Sequence, residues 1–164
     1  MSKKHPVVVV TGSSGAGTTF VKRAFEHIFS REKINSLIVE GDSFHMYDRV
    51  AMKANVKKQE ALGNNFFSHF GPDANLFDKI EETFKDYGNT GQCDRRYYLH
   101  SDEEASEHNA RLNTDLNPGE FTPWEKSGAG TDVLFYEGLH GAVVTDGVDM
   151  AQYADLKIGV VPSV

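Results

Sequence analysis

The fold of this 164-residue chain is decided by the stretch Val7-Val8-Val9-Val10-Thr11-Gly12-Ser13-Ser14-Gly15-Ala16-Gly17-Thr18-Thr19-Phe20. Four consecutive β-branched residues precede a turn rich in glycine and serine, and apolar residues then recur at helical spacing in Val21, Ala24, Phe25 and Ile28. An apolar run of this kind is typical of a central parallel strand covered on both faces. The stretch therefore predicts a buried strand, a turn, and a helix that packs against the sheet.

The turn has the spacing of a phosphate-binding loop. Gly12 and Gly17 occupy the glycine positions of the pattern G-x-x-x-x-G-K-[ST], in which backbone N–H groups turn inward around a di- or triphosphate. The helix that follows directs its N-terminus at the same anion. Thr19 takes the hydroxyl position that binds Mg²⁺, but Thr18 stands where the pattern has lysine. Residues 12–20 therefore predict a nucleotide site that needs another cation, and a plain strand-to-helix connection is the alternative.

The composition is that of one globular domain. Hydrophobic residues make up 39% and charged residues 25% of the chain, which argues against disorder and against a membrane protein. Because Met1–Pro6 does not resemble the start of a signal peptide, we expect a cytoplasmic location. The formal net charge of −7 argues against nonspecific binding to nucleic acid or anionic membranes. Cys93 is the only cysteine, so the chain cannot form an internal disulfide.

A second strand is predicted over Ser36–Glu40, and Asp42 follows it after a single glycine. In open α/β sheets, ligands bind at the edge formed by the carboxyl ends of the strands. A carboxylate at that edge can accept the proton of an attacking hydroxyl or hold a metal ion. An aspartate that only caps a helix or a turn is an equal alternative for Asp42 taken alone.

The residues after Asp42 are locally basic. His45, Arg49 and Lys53 recur every four residues, so they would share one stripe of a helix that begins near Asp48. Between Ser43 and Lys58 there are four Lys or Arg residues and one Asp, a local charge of +3. Arginine, lysine and histidine can all bind phosphate oxygens. We predict a substrate-phosphate site here, with a solvated helix face as the alternative.

Glu137 ends a further apolar strand, predicted over Asp132–Glu137, and precedes a glycine. Magnesium sites of this class use few protein oxygens together with phosphate oxygens and water. Glu137 is therefore predicted to approach the Mg²⁺ beside Thr19, directly or through water.

The remaining segments give weaker signals. A helix is predicted over Asp73–Tyr87 with Gly88 as its stop, and Tyr98 and His100 alternate on an extended segment, where they share a face. That pair is as consistent with a polar surface strand as with a ligand contact. The acidic region 101–120 predicts a long loop or a short solvated helix, and residues 156–161 predict another buried strand.

Three stretches together resemble bacterial-type phosphoribulokinases: Val10–Thr19, Glu40–His45 and Phe135–Gly141. The resemblance runs from about Lys3 to Pro162. It implies an α/β P-loop kinase fold with a mostly parallel sheet and helices on both faces. It also implies phosphorylation of the C1 hydroxyl of D-ribulose 5-phosphate by MgATP in the Calvin cycle. Bacterial members have threonine in the lysine position of the loop, as this chain has at Thr18.

Matched position by position, the resemblance implies that Asp42 is the catalytic base and that residues 12–20 bind ATP. It places Thr19 and Glu137 near magnesium. It links Arg31 to allosteric control by NADH and AMP, and it implies a homo-oligomer for the full-length protein. The residues that it implies for sugar-phosphate binding are His45, Arg49, Lys53, Tyr98 and His100.

The chain departs from this family in length, because family members are considerably longer than 164 residues. We therefore expect residues 1–164 to be a single P-loop kinase domain, truncated before the lid and the C-terminal region, with little or no turnover. The lid is expected to provide the cation that replaces the loop lysine. A uridine-kinase-like enzyme and a non-catalytic nucleotide-binding module are the two alternatives.

Overall fold

The computed structural model describes residues 4–162, and these divide into two compact units. The first, called here the sheet unit, contains the residues up to Gly41, Phe77–Arg95, and the residues from Lys126 onward. The second, called the pocket unit, contains Asp42–Leu76 and Arg96–Glu125.

The sheet unit is built on four parallel strands. They are β1 (Val7–Gly12), β2 (Ser36–Glu40), β5 (Val133–Gly138) and β6 (Leu156–Val160), and their order across the sheet is β2-β5-β1-β6. Because the strands are parallel, their carboxyl ends lie at one edge of the sheet. The loops that follow β1 and β5 therefore begin at the same edge.

The other elements complete the description of the chain. The helices are α1 (Thr18–Glu32), α2 (Arg49–Ala61), α3 (Phe77–Thr90) and α4 (Asp102–Leu112), and two-residue strands β3 (Asp94–Arg95) and β4 (Glu125–Lys126) form a separate sheet. Short 3₁₀ turns span Gly41–Phe44, Pro72–Ala74 and Met150–Tyr153. Within residues 4–162, no helix has the length and apolarity needed to cross a membrane.

Helices cover both faces of the sheet, as the apolar strands require. On one face, Phe135 of β5 packs against Phe25 and Phe29 of α1, with ring centroids 5.0 and 5.6 Å apart. On the other face, Tyr136 packs edge-on against Phe84 of α3, at 5.2 Å. Neighbouring residues of a strand point to opposite faces, and burying each such side chain stabilises the fold by about 1.5–3 kcal/mol. The predicted α/β class, with a mostly parallel sheet and helices on both faces, is confirmed.

Helix α3 differs from its prediction at both ends. It begins at Phe77 rather than Asp73, because Asn75 has extended backbone angles (φ −134°, ψ 144°) and Leu76 donates its N–H to the Phe44 carbonyl, 2.9 Å away. It also continues past Gly88 to Thr90. Gly91, at φ +76°, follows the helix in the left-handed conformation typical of a helix stop.

Two other expectations need correction or refinement. The strand β6 is not buried: among the described residues it pairs only with β1, and Leu156 is 47% exposed. The acidic region forms helix α4, with the Ser101 hydroxyl accepting a hydrogen bond from the Glu104 N–H, so the helical alternative is correct. Arg31 lies in the last turn of α1.

Candidate functional site

The glycine-rich loop after β1 has the conformation of an anion-binding turn. Gly15 and Gly17 have φ angles of +80° and +98°, which favour glycine, and the Ala16 N–H bonds the Ser13 carbonyl at 2.9 Å. Gly17 is the N-cap of α1, and no side chain within the described part of the chain caps that end. The N–H groups of the first turn, at Thr18 and Thr19, are therefore available to an anion.

The base of this loop is held by its neighbours in the sheet. A Cβ added at Gly12 would lie 2.6 Å from the Val160 carbonyl oxygen, so glycine permits the close approach of β6. Thr11 donates from its hydroxyl to the Leu139 carbonyl at 2.7 Å, which ties the end of β1 to the segment after β5. The loop thus starts from a rigid position at the carboxyl edge of the sheet.

Two carboxylates lie near this edge, on β2 and β5. Glu40 and Glu137 are paired residues on these neighbouring parallel strands, so both side chains lie on the α1 face. Lys22 of α1 forms an ion pair with Glu40. Burial lowers the pKa of Lys22, but the hydrogen bond to Glu40 and the charges of Glu40 and Glu137 outweigh burial and raise that pKa above its ordinary value. Lys22 was not predicted as a site residue.

The residues in the sheet unit have the donor chemistry of a magnesium site that relies on nucleotide oxygens. Thr19 is an exposed residue with a hydroxyl oxygen, and Glu137 is a half-buried residue with a carboxylate. Oxygen donors of this kind suit Mg²⁺, which keeps several waters and phosphate oxygens in its coordination sphere. Within residues 4–162, no cluster of three or more His, Cys, Asp or Glu side chains could hold a metal by itself. The donors present therefore fit a metal that arrives with a phosphorylated ligand.

The pocket unit contains a cavity of about 390 Å³ that is lined mainly by polar and charged residues. All six residues that were predicted as base or as sugar-phosphate ligands line it, so the fold brings side chains from two separate parts of the sequence to one concave surface. Four further residues complete its lining. The predicted residues are Asp42, His45, Arg49, Lys53, Tyr98 and His100, and the others are Tyr47, Asp48, Met52 and His69.

Asp42 lies between two histidines of this cavity. His45 Nε2 is 3.4 Å from Asp42 Oδ1, and His100 Nε2 is 3.8 Å from Asp42 Oδ2. The Asp42 side chain is 56% exposed, so its carboxylate is accessible to a ligand. Such an arrangement can accept a proton from a bound hydroxyl while the histidines orient the carboxylate.

His45 is a more basic histidine than usual. Burial lowers its pKa, but hydrogen bonds to Asp42 and Asn75 and the charge of Asp42 outweigh burial and raise the pKa above 6.5, while Arg96 acts in the opposite direction. Its Nδ1 lies 2.8 Å from Asn75 Oδ1.

The three basic residues that were predicted to share one helical stripe are not all on the helix. Arg49 and Lys53 lie one turn apart on α2, whose N-cap is Asp48, with its carboxylate accepting the Ala51 N–H at 2.7 Å. His45 precedes the helix and reaches the cavity from a separate bridge with Asn75, so it does not continue the helical stripe. The Arg49 guanidinium lies 6.0 Å from the Tyr98 ring centroid.

Arg96 fixes the backbone that presents Asp42 and His45. Its guanidinium donates to the Ser43 carbonyl at 2.7 Å and to the His45 carbonyl at 2.5 Å. The same group lies over the rings of Phe121 and Trp124, at 3.8 and 4.8 Å from their centroids. Burial lowers the pKa of Arg96 to about 10. The side chain thus holds the 3₁₀ turn rigidly.

Two residues from the sequence analysis, Arg31 and Cys93, lie outside both the phosphate-binding loop and the cavity. Arg31 is 76% exposed and bonds the neighbouring Glu32 at 2.8 Å, a contact that requires no ligand. Cys93 is buried, and burial raises the pKa of its thiol to about 11, which agrees with an unreactive thiol.

Sequence reasoning missed several residues of the site. Asn75 lay inside a predicted helix, and nothing in the local pattern indicates its contact with His45. Neither His69, which lines the cavity, nor Arg96 is among the predicted site residues. Aromatic residues at positions 97, 98, 121 and 124 indicate that rings are available for Arg96 to stack on. Only the fold brings Arg96 and these rings together.

Comparison with known proteins gives a consistent result. A model described as the phosphoribulokinase/uridine kinase family matches residues 7–164. The phosphoribulokinase of Xanthobacter flavus is 57% identical over 162 residues, which cover 99% of this chain and 54% of that protein. The phosphoribulokinase of Nitrobacter vulgaris is 52% identical, with coverage of 99% and 54%. The chain thus spans about half the length of the curated relatives it matches.

Solved structures agree with the sequence comparison. A phosphoribulokinase from Rhodobacter spheroides superposes with a TM-score of 0.83 at 44% identity, covering 99% of this chain and 53% of that one. A putative fructose transport system kinase from Silicibacter superposes with a TM-score of 0.62 at 14% identity, which indicates a shared fold alone. On the strength of the family match over almost its whole length, the chain belongs to the phosphoribulokinase/uridine kinase family.

Proposed function

We propose that the protein phosphorylates the C1 hydroxyl of D-ribulose 5-phosphate with MgATP and produces ribulose 1,5-bisphosphate for the Calvin cycle. The observation that supports this most directly is the cavity in the pocket unit, which combines the Asp42 carboxylate with the cations Arg49 and Lys53. A carboxylate suits a hydroxyl that must lose a proton, and the cations suit a phosphorylated acceptor. The curated relatives named above are phosphoribulokinases.

In this proposal the sheet unit binds the nucleotide. The loop of residues 12–20 surrounds the phosphates of ATP with backbone N–H groups, and the N-terminus of α1 adds its partial positive charge. Thr19 and Glu137 hold Mg²⁺, directly or through water. When bound, the ion neutralises charge on the phosphate oxygens.

The pocket unit binds the acceptor and provides the base. Asp42 takes the proton of the C1 hydroxyl as that oxygen forms a bond to the γ-phosphorus of ATP, while the bond from the γ-phosphorus to the leaving oxygen of ADP breaks. The sugar phosphate is held by His45, Arg49, Lys53, Tyr98 and His100. No covalent enzyme intermediate is required, because positioning and electrostatic stabilisation account for this class of reaction.

Other expectations accompany this proposal as predictions. We propose that residues 1–164 act as one kinase domain with little turnover alone, that a lid provides the cation missing at Thr18, and that the protein works in the cytoplasm. Control by NADH or AMP through Arg31 and homo-oligomer formation are predictions for the full-length protein. A non-catalytic nucleotide-binding module is the alternative if turnover is absent in every form.

A uridine-kinase-like activity is the second candidate, because the matching family model includes uridine kinases. Competition separates the two activities. The chain is joined to the part of the Xanthobacter flavus relative that it does not match, and the product is assayed with MgATP, ribulose 5-phosphate and uridine together. We expect phosphorylated sugar and unchanged uridine. Phosphorylation of uridine in preference to the sugar would overturn the proposed substrate while leaving the kinase assignment intact.

A further inference from the structure

The orientation of the Asn75 side chain is fixed by three hydrogen bonds. Asn75 is 3% exposed, and its Nδ2 donates to the carbonyls of His69 and Gly71, at 2.7 and 2.8 Å. Carbonyl oxygens only accept, so the amide nitrogen must be the atom that faces them. The amide oxygen, Oδ1, therefore faces His45 Nδ1 at 2.8 Å.

This orientation decides which nitrogen of His45 holds a hydrogen. The Asn75 Oδ1 atom can only accept, so the hydrogen of that contact must belong to His45 Nδ1. The other ring nitrogen, Nε2, lies 3.4 Å from Asp42 Oδ1. A neutral ring with its hydrogen on Nδ1 would direct the lone pair of Nε2 at the carboxylate. A favourable contact with ionised Asp42 therefore requires a second proton, at Nε2.

We propose that Asn75 is a positioning residue that holds His45 as a donor at Nδ1, so that His45 and Asp42 form an imidazolium–carboxylate pair in the acceptor cavity. The backbone reinforces the contact: residues 45 and 75 form an antiparallel bridge, and the Met46 N–H donates to the Ala74 carbonyl at 2.8 Å. The His45 ring therefore cannot turn without breaking contacts at both nitrogens.

Within residues 4–162, the acceptor found within hydrogen-bond distance of His45 Nδ1 is Asn75 Oδ1. The rings of His69 and Tyr98 lie edge-on to it, with centroids 6.2 and 6.3 Å away. Arg96 contacts the His45 carbonyl rather than the ring, and its positive charge opposes protonation of the imidazole. The other charged or titratable groups that line the cavity are Tyr47, Asp48, Arg49, Lys53 and His100.

This arrangement has a consequence for catalysis, which rests on the proposed function. An imidazolium beside Asp42 stabilises the ionised form of that carboxylate, which is the form that can accept a hydroxyl proton. It also adds a third positive charge to the cavity beside Arg49 and Lys53. Asn75, which touches neither the base nor the acceptor in this scheme, would thus act on the reaction through His45.

The test reads the His45 ring directly. Long-range ¹H–¹⁵N correlation spectra of the histidine-labelled 164-residue chain, recorded across a pH titration, report which ring nitrogen is protonated. We expect both nitrogens of His45 to be protonated at low pH and the neutral form to keep its hydrogen on Nδ1. A neutral form with its hydrogen on Nε2 would overturn the proposal. Because no substrate is added, the result is independent of whether the proposed kinase activity is correct.

Three variants make the test specific. Asn75→Leu should lower the pKa of His45 and move the hydrogen of the neutral ring to Nε2. His69→Gln is the control. It should leave the tautomer unchanged, because the backbone carbonyl of residue 69 still accepts from Asn75. Asp42→Asn, at an exposed position, should lower the pKa of His45 but keep the Nδ1–H tautomer. The Asp42→Asn variant therefore still tests the proposal if Asn75→Leu does not fold. An Asp42→Asn protein whose neutral His45 has its hydrogen on Nε2 would contradict it.

Discussion

Glu40 and Glu137 occupy paired positions on the neighbouring parallel strands β2 and β5, and Lys22 of α1 forms an ion pair with the first of them. Two carboxylates on one face of a sheet repel each other unless a cation lies nearby. Lys22 neutralises Glu40, which leaves the Glu137 carboxylate for the proposed metal. Glu40 and Glu137 lie side by side because of how β2 and β5 pair in the sheet, which the local sequence of either strand does not determine.

Removing Lys22 should therefore destabilise the sheet unit. We expect Lys22→Met to lower the free energy of unfolding by about 1 kcal/mol, because the pair is only partly exposed and its loss leaves the carboxylates unscreened. Urea unfolding of Lys22→Met, Glu40→Gln and the double variant measures the coupling. Strictly additive effects of the two substitutions would show that the ion pair contributes nothing.

Gly12 is required by the close approach of β6 to the start of the phosphate loop. We expect Gly12→Ala to lower the free energy of unfolding by about 1–3 kcal/mol, because its Cβ would meet the Val160 carbonyl oxygen at 2.6 Å. Gly159→Ala is the matched control, since a Cβ at that position of β6 meets no atom within 4 Å. Equal thermal stability of the two variants would argue against this account of Gly12.

Arg96 should matter through the turn that it holds. Arg96→Met removes the donors to the Ser43 and His45 carbonyls, and we expect a loss of about 1–3 kcal/mol in the free energy of unfolding. Arg31→Met replaces an exposed arginine that forms an ion pair with the neighbouring Glu32, and it should change the free energy of unfolding by less than about 0.5 kcal/mol. Comparable losses in the two variants, measured by chemical denaturation, would contradict the role given to Arg96.

The pair of His45 and Asp42 should make stability depend on pH. The pKa of His45 is raised in the folded protein, so its contribution is fully present below the unfolded value of 6.5 and is lost as the pH rises through the folded value. The wild-type protein should therefore have a higher free energy of unfolding than His45→Gln, and this difference should be larger at about pH 5.5 than at about pH 9. A difference that is constant or grows with pH would refute the charged pair.

Much of the sheet could be predicted from local sequence. The strand Ser36–Glu40 has its predicted bounds, and the apolar runs at Val7 and Val133 form adjacent central strands. These predictions succeed because a run of β-branched and aromatic residues has few other stable environments. The P-loop was equally predictable, since its glycines are needed for left-handed backbone angles that local spacing already implies.

The cavity was predictable in its residues but not in its assembly. Arg49 and Lys53 share a helix, so their common direction follows from spacing. The position of His45 does not follow from spacing, because it depends on a bridge with Asn75, 30 residues away. The same bridge keeps Asn75 extended, so α3 begins later in the sequence than predicted. Contacts between distant segments override local helix propensity here. The exposure of β6 depends likewise on which strands lie beside it, which its own apolar sequence does not reveal.

We propose that the protein phosphorylates ribulose 5-phosphate with Asp42 as its base. The most direct measurement is the rate of ribulose 1,5-bisphosphate formation from MgATP by the chain extended with the unmatched part of the Xanthobacter flavus relative, compared with the same protein carrying Asp42→Asn. We expect Asp42→Asn to lower kcat by a factor of about 10² or more, because it removes the proton acceptor. An Asp42→Asn variant that turns over as fast as its parent would contradict the account.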